Sequence, residues 1–170
     1  MKNIAVAEMP HYNSFITHLR NMMNVLDIKC SIVSNSDTKD KALDYFIIND
    51  NIIPKDYVLN AKYCFINMDN RLYGNVIVKG NVITYGLGIK NTVTVSSLEE
   101  NNLEFVYCLQ RYLTIADEGS LEPQEIPVKL QFNIDTELYA SMIAITIALI
   151  EGIDCTEIKK KLNKKVLILS

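Results

Sequence analysis

The order strand, turn, helix, strand within residues 3–33 constrains this chain more than any other feature. Asn3-Ile-Ala-Val-Ala7 and Ile28 to Val33 flank a helix running from Phe15 to Leu26. Phe15, Leu19, Met22 and Leu26 fall on one stripe of that helix, with Thr17, Arg20, Asn21 and Asn24 opposite. Both strands are nearly continuous apolar runs, the pattern of parallel strands covered on both faces. A strand–helix–strand unit crosses over right-handed and lays its two strands parallel. The run Leu43-Asp-Tyr-Phe-Ile-Ile48 predicts a third strand and Lys62-Tyr-Cys-Phe-Ile66 a fourth, with one or two helical turns opened by Pro54 between them.

From Gly74 to Phe132 the text changes to short strands with turn signals. Strands are expected at Asn75–Val78 and Val82–Tyr85, separated by a turn at Lys79-Gly-Asn81, then at Thr92–Val95, Phe105–Ile115 and Val128–Phe132. Asp117-Glu-Gly-Ser120 suits a hairpin turn, its glycine supplying a positive φ. This half reads as an antiparallel extension of the parallel sheet. Asp135 or Thr136 caps a late helix that runs to Ile150 and stops at Gly152. That helix is apolar nearly all round, so it is expected to be buried on more than one side. Asp154 with Glu157 opens a last helix to about Leu162, and Val166 to Leu169 is expected to form a final strand.

The turn between the first strand and helix carries the functional question. Nucleotide-binding α/β proteins place glycines and a lysine there, because bare N–H groups and a cation must embrace phosphates. Residues 8–14 read Glu8, Met9, Pro10, His11, Tyr12, Asn13 and Ser14, with neither glycine nor lysine. Glu8 is an anion, and Pro10 has no N–H to donate.

With 170 residues, the chain is expected to form a single domain, 1–170. Its 49% apolar and 22% charged residues are those of a soluble globular protein, and the net charge of −3 gives no reason to expect nucleic acid or an anionic membrane as partner. Lys159-Lys160-Lys161 with Lys164-Lys165 reads as a solvated helix end. Cys30, Cys64, Cys108 and Cys155 form no C-x-x-C pair and read as small buried hydrophobes. The apolar stretch Leu138–Ile150 is too short to span a bilayer, and Met1-Lys2-Asn3 leads straight into a strand, so a cytoplasmic location is expected.

Val82-Ile-Thr-Tyr-Gly-Leu87 and Phe65-Ile-Asn-Met-Asp69, in this order and spacing, resemble two strands of the central, ATP-binding domain of the Mur ligase family. Cys108-Leu-Gln-Arg111 with Glu122-Pro-Gln-Glu-Ile-Pro127 is similar to a further segment of some members. These enzymes add amino acids to peptidoglycan precursors, and folylpolyglutamate and cyanophycin synthetases share the domain. The resemblance implies an α/β fold of the P-loop NTPase and Mur-ligase central-domain type: a mainly parallel sheet with helices on its faces and an antiparallel β extension. It covers most of the chain, leaving no room for the family's substrate-binding N-terminal domain or its C-terminal domain.

The family's phosphate loop reads roughly T-G-T-N-G-K-T-T. Laid over Ala7 to Ser14, its glycines fall on Glu8 and His11, its lysine on Tyr12 and its magnesium-binding hydroxyl on Asn13. Its D-H-L-D segment has no counterpart beyond Asn49-Asp-Asn-Ile-Ile-Pro54. Its adenine-holding H-N-x-x-N-x-x-A-A motif maps to Thr136, Glu137, Ala140, Ile143 and Ala144, where packing residues remain and polar contacts do not. Losing a single preorganised donor at a developing charge costs about 10²–10³ in rate, and here several are replaced together. The expectation is a non-catalytic, Mur-ligase-like pseudoenzyme with no cofactor, acting through a protein partner or as a homo-oligomer and linked to cell-wall metabolism.

A second reading is a small-molecule or nucleotide-binding protein, or an enzyme, that uses the crevice at the carboxyl ends of the parallel strands. Its residues would be Glu8, His11, Asn49, Asp50 and Asp69. Glu8 and His11 suit an acid/base pair there, and equally a polar turn. His11 and His18 lack a carboxylate or cysteine at ligand spacing, so no metal is expected. The nine tyrosines include Tyr107, Tyr112 and Tyr139, which the sequence assigns to core or interface alike.

Overall fold

The computed structural model describes residues 1–7, 13–34, 42–49, 57–70, 76–99, 104–115, 119–132 and 135–169. Strands β1 (Lys2–Ala7), β2 (Cys30–Ser34), β3 (Leu43–Ile48), β4 (Tyr57–Asn67) and β5 (Val76–Tyr85) form the parallel part of an eight-stranded sheet. Beyond them lie β6 (Val93–Leu98), β7 (Glu104–Leu109) and β10 (Gln124–Lys129), giving the spatial order β10-β7-β6-β5-β4-β3-β1-β2. The antiparallel extension is real but smaller than expected: β7 pairs antiparallel with both β6 and β10, whereas β5 belongs to the parallel part and its one pairing with β6 is parallel as well. It joins the parallel part where Tyr85 meets Val93, so β6 continues upward past the end of β5. A separate antiparallel pair is formed by β8 (Leu113–Ile115) with β9 (Gly119–Leu121), whose first residue, Gly119, has φ +103°, a conformation that favours glycine; residues 116–118 of the expected turn lie outside the described residues.

The three helices are α1 (Asn13–Val25), α2 (Asp135–Ile150) and α3 (Cys155–Leu169). Phe15, Leu19, Met22 and Leu26 are all fully buried, as the stripe predicts. Each contributes about 1.5–3 kcal/mol of burial free energy. All three helices join one core, on the sheet face carrying Ile4, Val6, Tyr45, Ile47, Tyr63, Phe65, Ile83 and Tyr85. Among the described residues every helix lies on this face. A second cluster on the other face consists of strand residues alone, including Ala5, Phe46, Ile48, Cys64 and Ile66. α2 is buried along nearly its whole length, because it is covered by the sheet on one side and α1 on the other.

Helix ends follow local chemistry. Gly152, at φ +81°, ends α2: its N–H bonds Leu149 O at 3.1 Å and Ile153 N–H bonds Ala148 O at 2.9 Å. The same pair of bonds ends α1, with Asp27 in the glycine position at φ +60°. Asp154 caps α3, its Oδ1 accepting from Thr156 N at 2.8 Å and Glu157 N at 2.9 Å.

Several boundaries differ from expectation. Residues 57–61 are strand, not helical turns, and Pro54 lies outside the described residues. Residues 76–85 form one strand, because Lys79-Gly-Asn81 faces a bulge in β4 instead of making a turn. Asn60 pairs with Lys79 and Tyr63 with Asn81, so Ala61 and Lys62 together oppose Gly80. The bulge flips β4: Leu59 and Ala61 join one core, Tyr63 and Phe65 the other. The expected strand Phe105–Ile115 breaks into β7 and β8 at Gln110-Arg111-Tyr112, and the strand expected at Val128–Phe132 lies earlier, as β10.

Val166–Leu169 is helical, since no glycine or proline after Asp154 stops α3. Lys159, Lys160 and Lys161 consequently sit in the middle of that helix rather than at its end. Lys161 Nζ binds Glu157 at 2.8 Å, Asp27 at 3.3 Å and Leu26 O at 3.2 Å, tying α3 to the carbonyl end of α1. The cysteines are free thiols. Burial pushes Cys64 up to about 11, and it raises Cys30 and Cys108 as well, so their thiolate forms are disfavoured.

Candidate functional site

Strands β3, β4 and β5 end together at Ile48, Asn67 and Tyr85, where Ile48 pairs with Ile66 and Asn67 with Tyr85. The carboxyl ends of parallel strands are where open α/β sheets hold ligands. Asn49 N–H reaches Ala7 O at 3.5 Å, so the segment after β1 opens at this same end.

The polar groups here bind one another. Asn49 Oδ1 accepts from Tyr85 Oη–H at 2.9 Å and from Asn67 Nδ2–H at 3.3 Å. Tyr85 Oη also lies 3.0 Å from Ile48 O, so its one hydrogen is shared. Asn70 Nδ2–H donates to Asn49 O at 2.7 Å, and Asn67 Oδ1 accepts from Asp69 N–H at 3.0 Å. Asn49 and Asn67 are both buried, and this closed network satisfies them.

Asp69 stands at the rim. Its Oδ2 accepts from Leu87 N–H at 2.6 Å and from Tyr139 Oη–H at 2.9 Å. Gly86 makes that possible. Its φ is +143°, and a Cβ built there would lie 2.7 Å from the Asp69 carboxyl atoms. Tyr139 comes from the second turn of α2 and packs edge-on against Tyr85, with ring centroids 5.9 Å apart. Burial raises the Tyr139 phenol above its ordinary range, and the bond to Asp69 and the charges of Asp69 and Asp135 raise it further. The phenol therefore stays protonated and donates.

Asn49 and Asp69 are thus brought together, through Asn67 and Asn70. Glu8, Met9, Pro10, His11, Tyr12 and Asp50 lie outside the described residues. Asn13 begins α1, and Ser14 is exposed in its first turn. His18 lies away from this cluster, with Nε2 3.0 Å from Ser141 Oγ. Ser141 gives its own hydrogen to Glu137 O at 2.8 Å, so Nε2 carries the proton. Of the tyrosines, Tyr107 is buried against Thr146, Tyr139 is half-buried at the crevice and Tyr112 is exposed.

Sequence reasoning missed Tyr85, Tyr139 and Asn67 as members of this cluster. A polar side chain closing an apolar strand was the available signal for Asn67. Tyr139 had none, because its partner is 70 residues away. Among the described residues no group of three or more His, Cys, Asp or Glu side chains is placed to hold a metal, and no helix is long and apolar enough to cross a membrane.

Comparison with solved structures gives the fold. MurF from Acinetobacter baumannii superposes with a TM-score of 0.51 at 11% identity, over 95% of this chain and 45% of the MurF chain. A second crystal structure of the same protein gives 0.47 at 10% identity with the same coverage. The protein has a Mur-ligase-like fold, and it spans less than half the length of those MurF chains. No protein-family model matches the chain, and no curated protein matches it in sequence.

Proposed function

We propose that this is a non-catalytic Mur-ligase-like domain that acts through protein association. The observation that supports this most is the self-satisfied crevice. Asn49, Asn67, Asn70 and Tyr85 bind one another, and Tyr139 bridges from α2 to Asp69 across the rim. Among the described residues the bonds of Asn49, Asn67, Asn70 and Asp69 go to no lysine or arginine, whereas triphosphate binding needs cations and free N–H donors. The replacement of the turn glycines and lysine by Glu8, His11 and Tyr12 argues the same way. A place beside cell-wall metabolism rests on the likeness to MurF, and a cytoplasmic one on the sequence reading of Met1-Lys2-Asn3 and Leu138–Ile150.

A Mg-ATP titration followed by thermal unfolding tests the reading. A working site at about 100 times its Kd adds about 2.7 kcal/mol, or roughly 5–10 °C in Tm for a domain of this size. The expected shift is under about 1 °C. A saturable rise that vanishes when magnesium is removed refutes the reading.

The second reading, a small-molecule site in the same crevice, is favoured by one observation. Asp69 is an exposed carboxylate whose position is fixed by Leu87 N–H, Tyr139 and the space over Gly86. Stabilisation by a cell-wall precursor, without nucleotide, would select it.

A further inference from the structure

Strand β5 has one side paired and one side open. β4 runs beside it from Val76 to Tyr85, but β6 meets it only where Tyr85 faces Val93. Among the described residues no other strand pairs with β5 on that second side. Ile77 is 57% exposed and Val82 47%, and Lys79, Gly80 and Asn81 between them are exposed too. Gly80 has no side chain, so its exposure is that of the main chain itself.

The top of the strand fixes the direction of the free groups. Tyr85 O accepts from Met68 N–H at 2.9 Å, so Tyr85 turns its carbonyl to β4. Main-chain groups of successive strand residues point to opposite edges. Val78 packs on the far core and Ile83 on the helix-side core, so the alternation runs unbroken through Gly80. Val78, Gly80 and Val82 therefore hold their N–H and C=O toward the open edge. Such a row is a template for another strand. The usual guards are sparse, since residues 77–83 contain no proline and Lys79 is their one charge.

The sequence of the edge selects the occupant. Ile77-Val-Lys-Gly-Asn-Val-Ile83 reads the same in both directions, apart from asparagine standing opposite lysine. A two-fold axis through Gly80 lays this strand antiparallel on its own copy with every position matched. Val78 then exchanges main-chain bonds with Val82 of the other copy, and Gly80 with Gly80. On the helix-side face Ile77 meets Ile83, and each lysine meets an asparagine instead of the other lysine. A strand of unrelated sequence would find the same N–H and C=O groups but not this side-chain match.

We propose that β5 pairs antiparallel with β5 of a second copy of this chain, in register about Gly80, joining the two sheets edge to edge. The proposal rests on the association reading above and names its surface.

Sedimentation velocity from low micromolar to several hundred micromolar protein is the test, and a dimer is expected in this range. Val82→Pro removes an outward N–H that β4 does not use. It should weaken the dimer about 10-fold or more and leave the circular dichroism of the monomer unchanged. Position 81 reads the register. Asn81→Glu sets a carboxylate opposite Lys79 twice per dimer and should tighten it about 2- to 30-fold. Asn81→Lys sets lysine against lysine and should loosen it by a similar factor. Ile89→Asp, at an exposed apolar site off this strand, should change nothing. The proposal is overturned by a monomer at every concentration, by a dimer that folded Val82→Pro leaves untouched, or by changes at 81 that fail to move affinity in opposite directions. Should Val82→Pro not fold, the exposed position 81 still decides. Failure here is separable from failure of the association reading, since a monomer that ignores Mg-ATP removes only this surface, whereas a Mg-ATP response removes the reading itself.

Discussion

A methyl group placed on Gly80 tests whether β4 really carries its bulge. At φ +142° an L-residue is strained, at a cost of about 1–3 kcal/mol. The larger obstacle is steric. The new Cβ would sit 2.0 Å from Ala61 O, a backbone atom that cannot rotate away. Reaching the shortest tolerated contact of 3.0 Å means parting β4 from β5 by about 1 Å at this point. That loosens the ladder bonds on either side, each with a net worth of about 0.5–1.5 kcal/mol. With two such bonds weakened, Gly80→Ala should lose about 2–6 kcal/mol, a large share of a typical total of 5–15 kcal/mol. The change in Tm should be about 5–20 °C for a domain of this size. Urea melts by circular dichroism would measure it. A loss below about 1 kcal/mol would mean that Ala61 and Lys62 do not oppose Gly80, and that the flip of β4 between its two cores has another origin.

Two further substitutions probe the crevice and the core. Gly86→Ala has nearly the same φ, but its clash at 2.7 Å is with the movable carboxyl of Asp69. It should therefore cost about 1–3 kcal/mol and release Tyr139, whose phenol then ionises at lower pH than in the wild type, read as a difference absorbance titration against Tyr139→Phe. An unchanged titration would refute the Asp69–Tyr139 bridge. Burial raises the Tyr107 phenol, whose ordinary value is 10.0. A raised pKa means the unfolded chain releases this proton first, so the stability Tyr107 contributes is intact below pH 10 and falls as pH rises above it. Each such group adds a slope of about 1.4 kcal/mol per pH unit. Tyr107→Phe should flatten the alkaline loss by that amount, and parallel slopes would show that Tyr107 is not buried protonated.

The parts of the fold legible from sequence are those where periodicity and burial are local. The stripe Phe15, Leu19, Met22 and Leu26, the apolar run at Leu43–Ile48 and the stop at Gly152 each announce themselves within a few residues. Glycine misled once for a physical reason. Gly80 was expected to turn the chain, yet a positive φ serves a turn or the residue facing a bulge equally, and only the partner strand tells them apart. The end of α3 was misplaced because Val166–Leu169 is an apolar run that suits strand or helix alike. The candidate site was half visible. Asn49 and Asp69 could be named from their positions after strands, but their partners Tyr85 and Tyr139 are bonds across 36 and 70 residues.

The order of apolar segments by itself points to β1 to β4 as parallel and to a buried α2, and it shows that residues 8–14 bring neither glycine nor lysine to the first turn. Those are consequences of side-chain character and chain connectivity. Tertiary structure alone decides that every described helix shares one face, that β6 steps past β5 at Tyr85, and that Tyr139 bridges to Asp69. A hydrogen bond depends on distance and direction between two atoms, and segments far apart in the chain acquire both only when the sheet has been assembled.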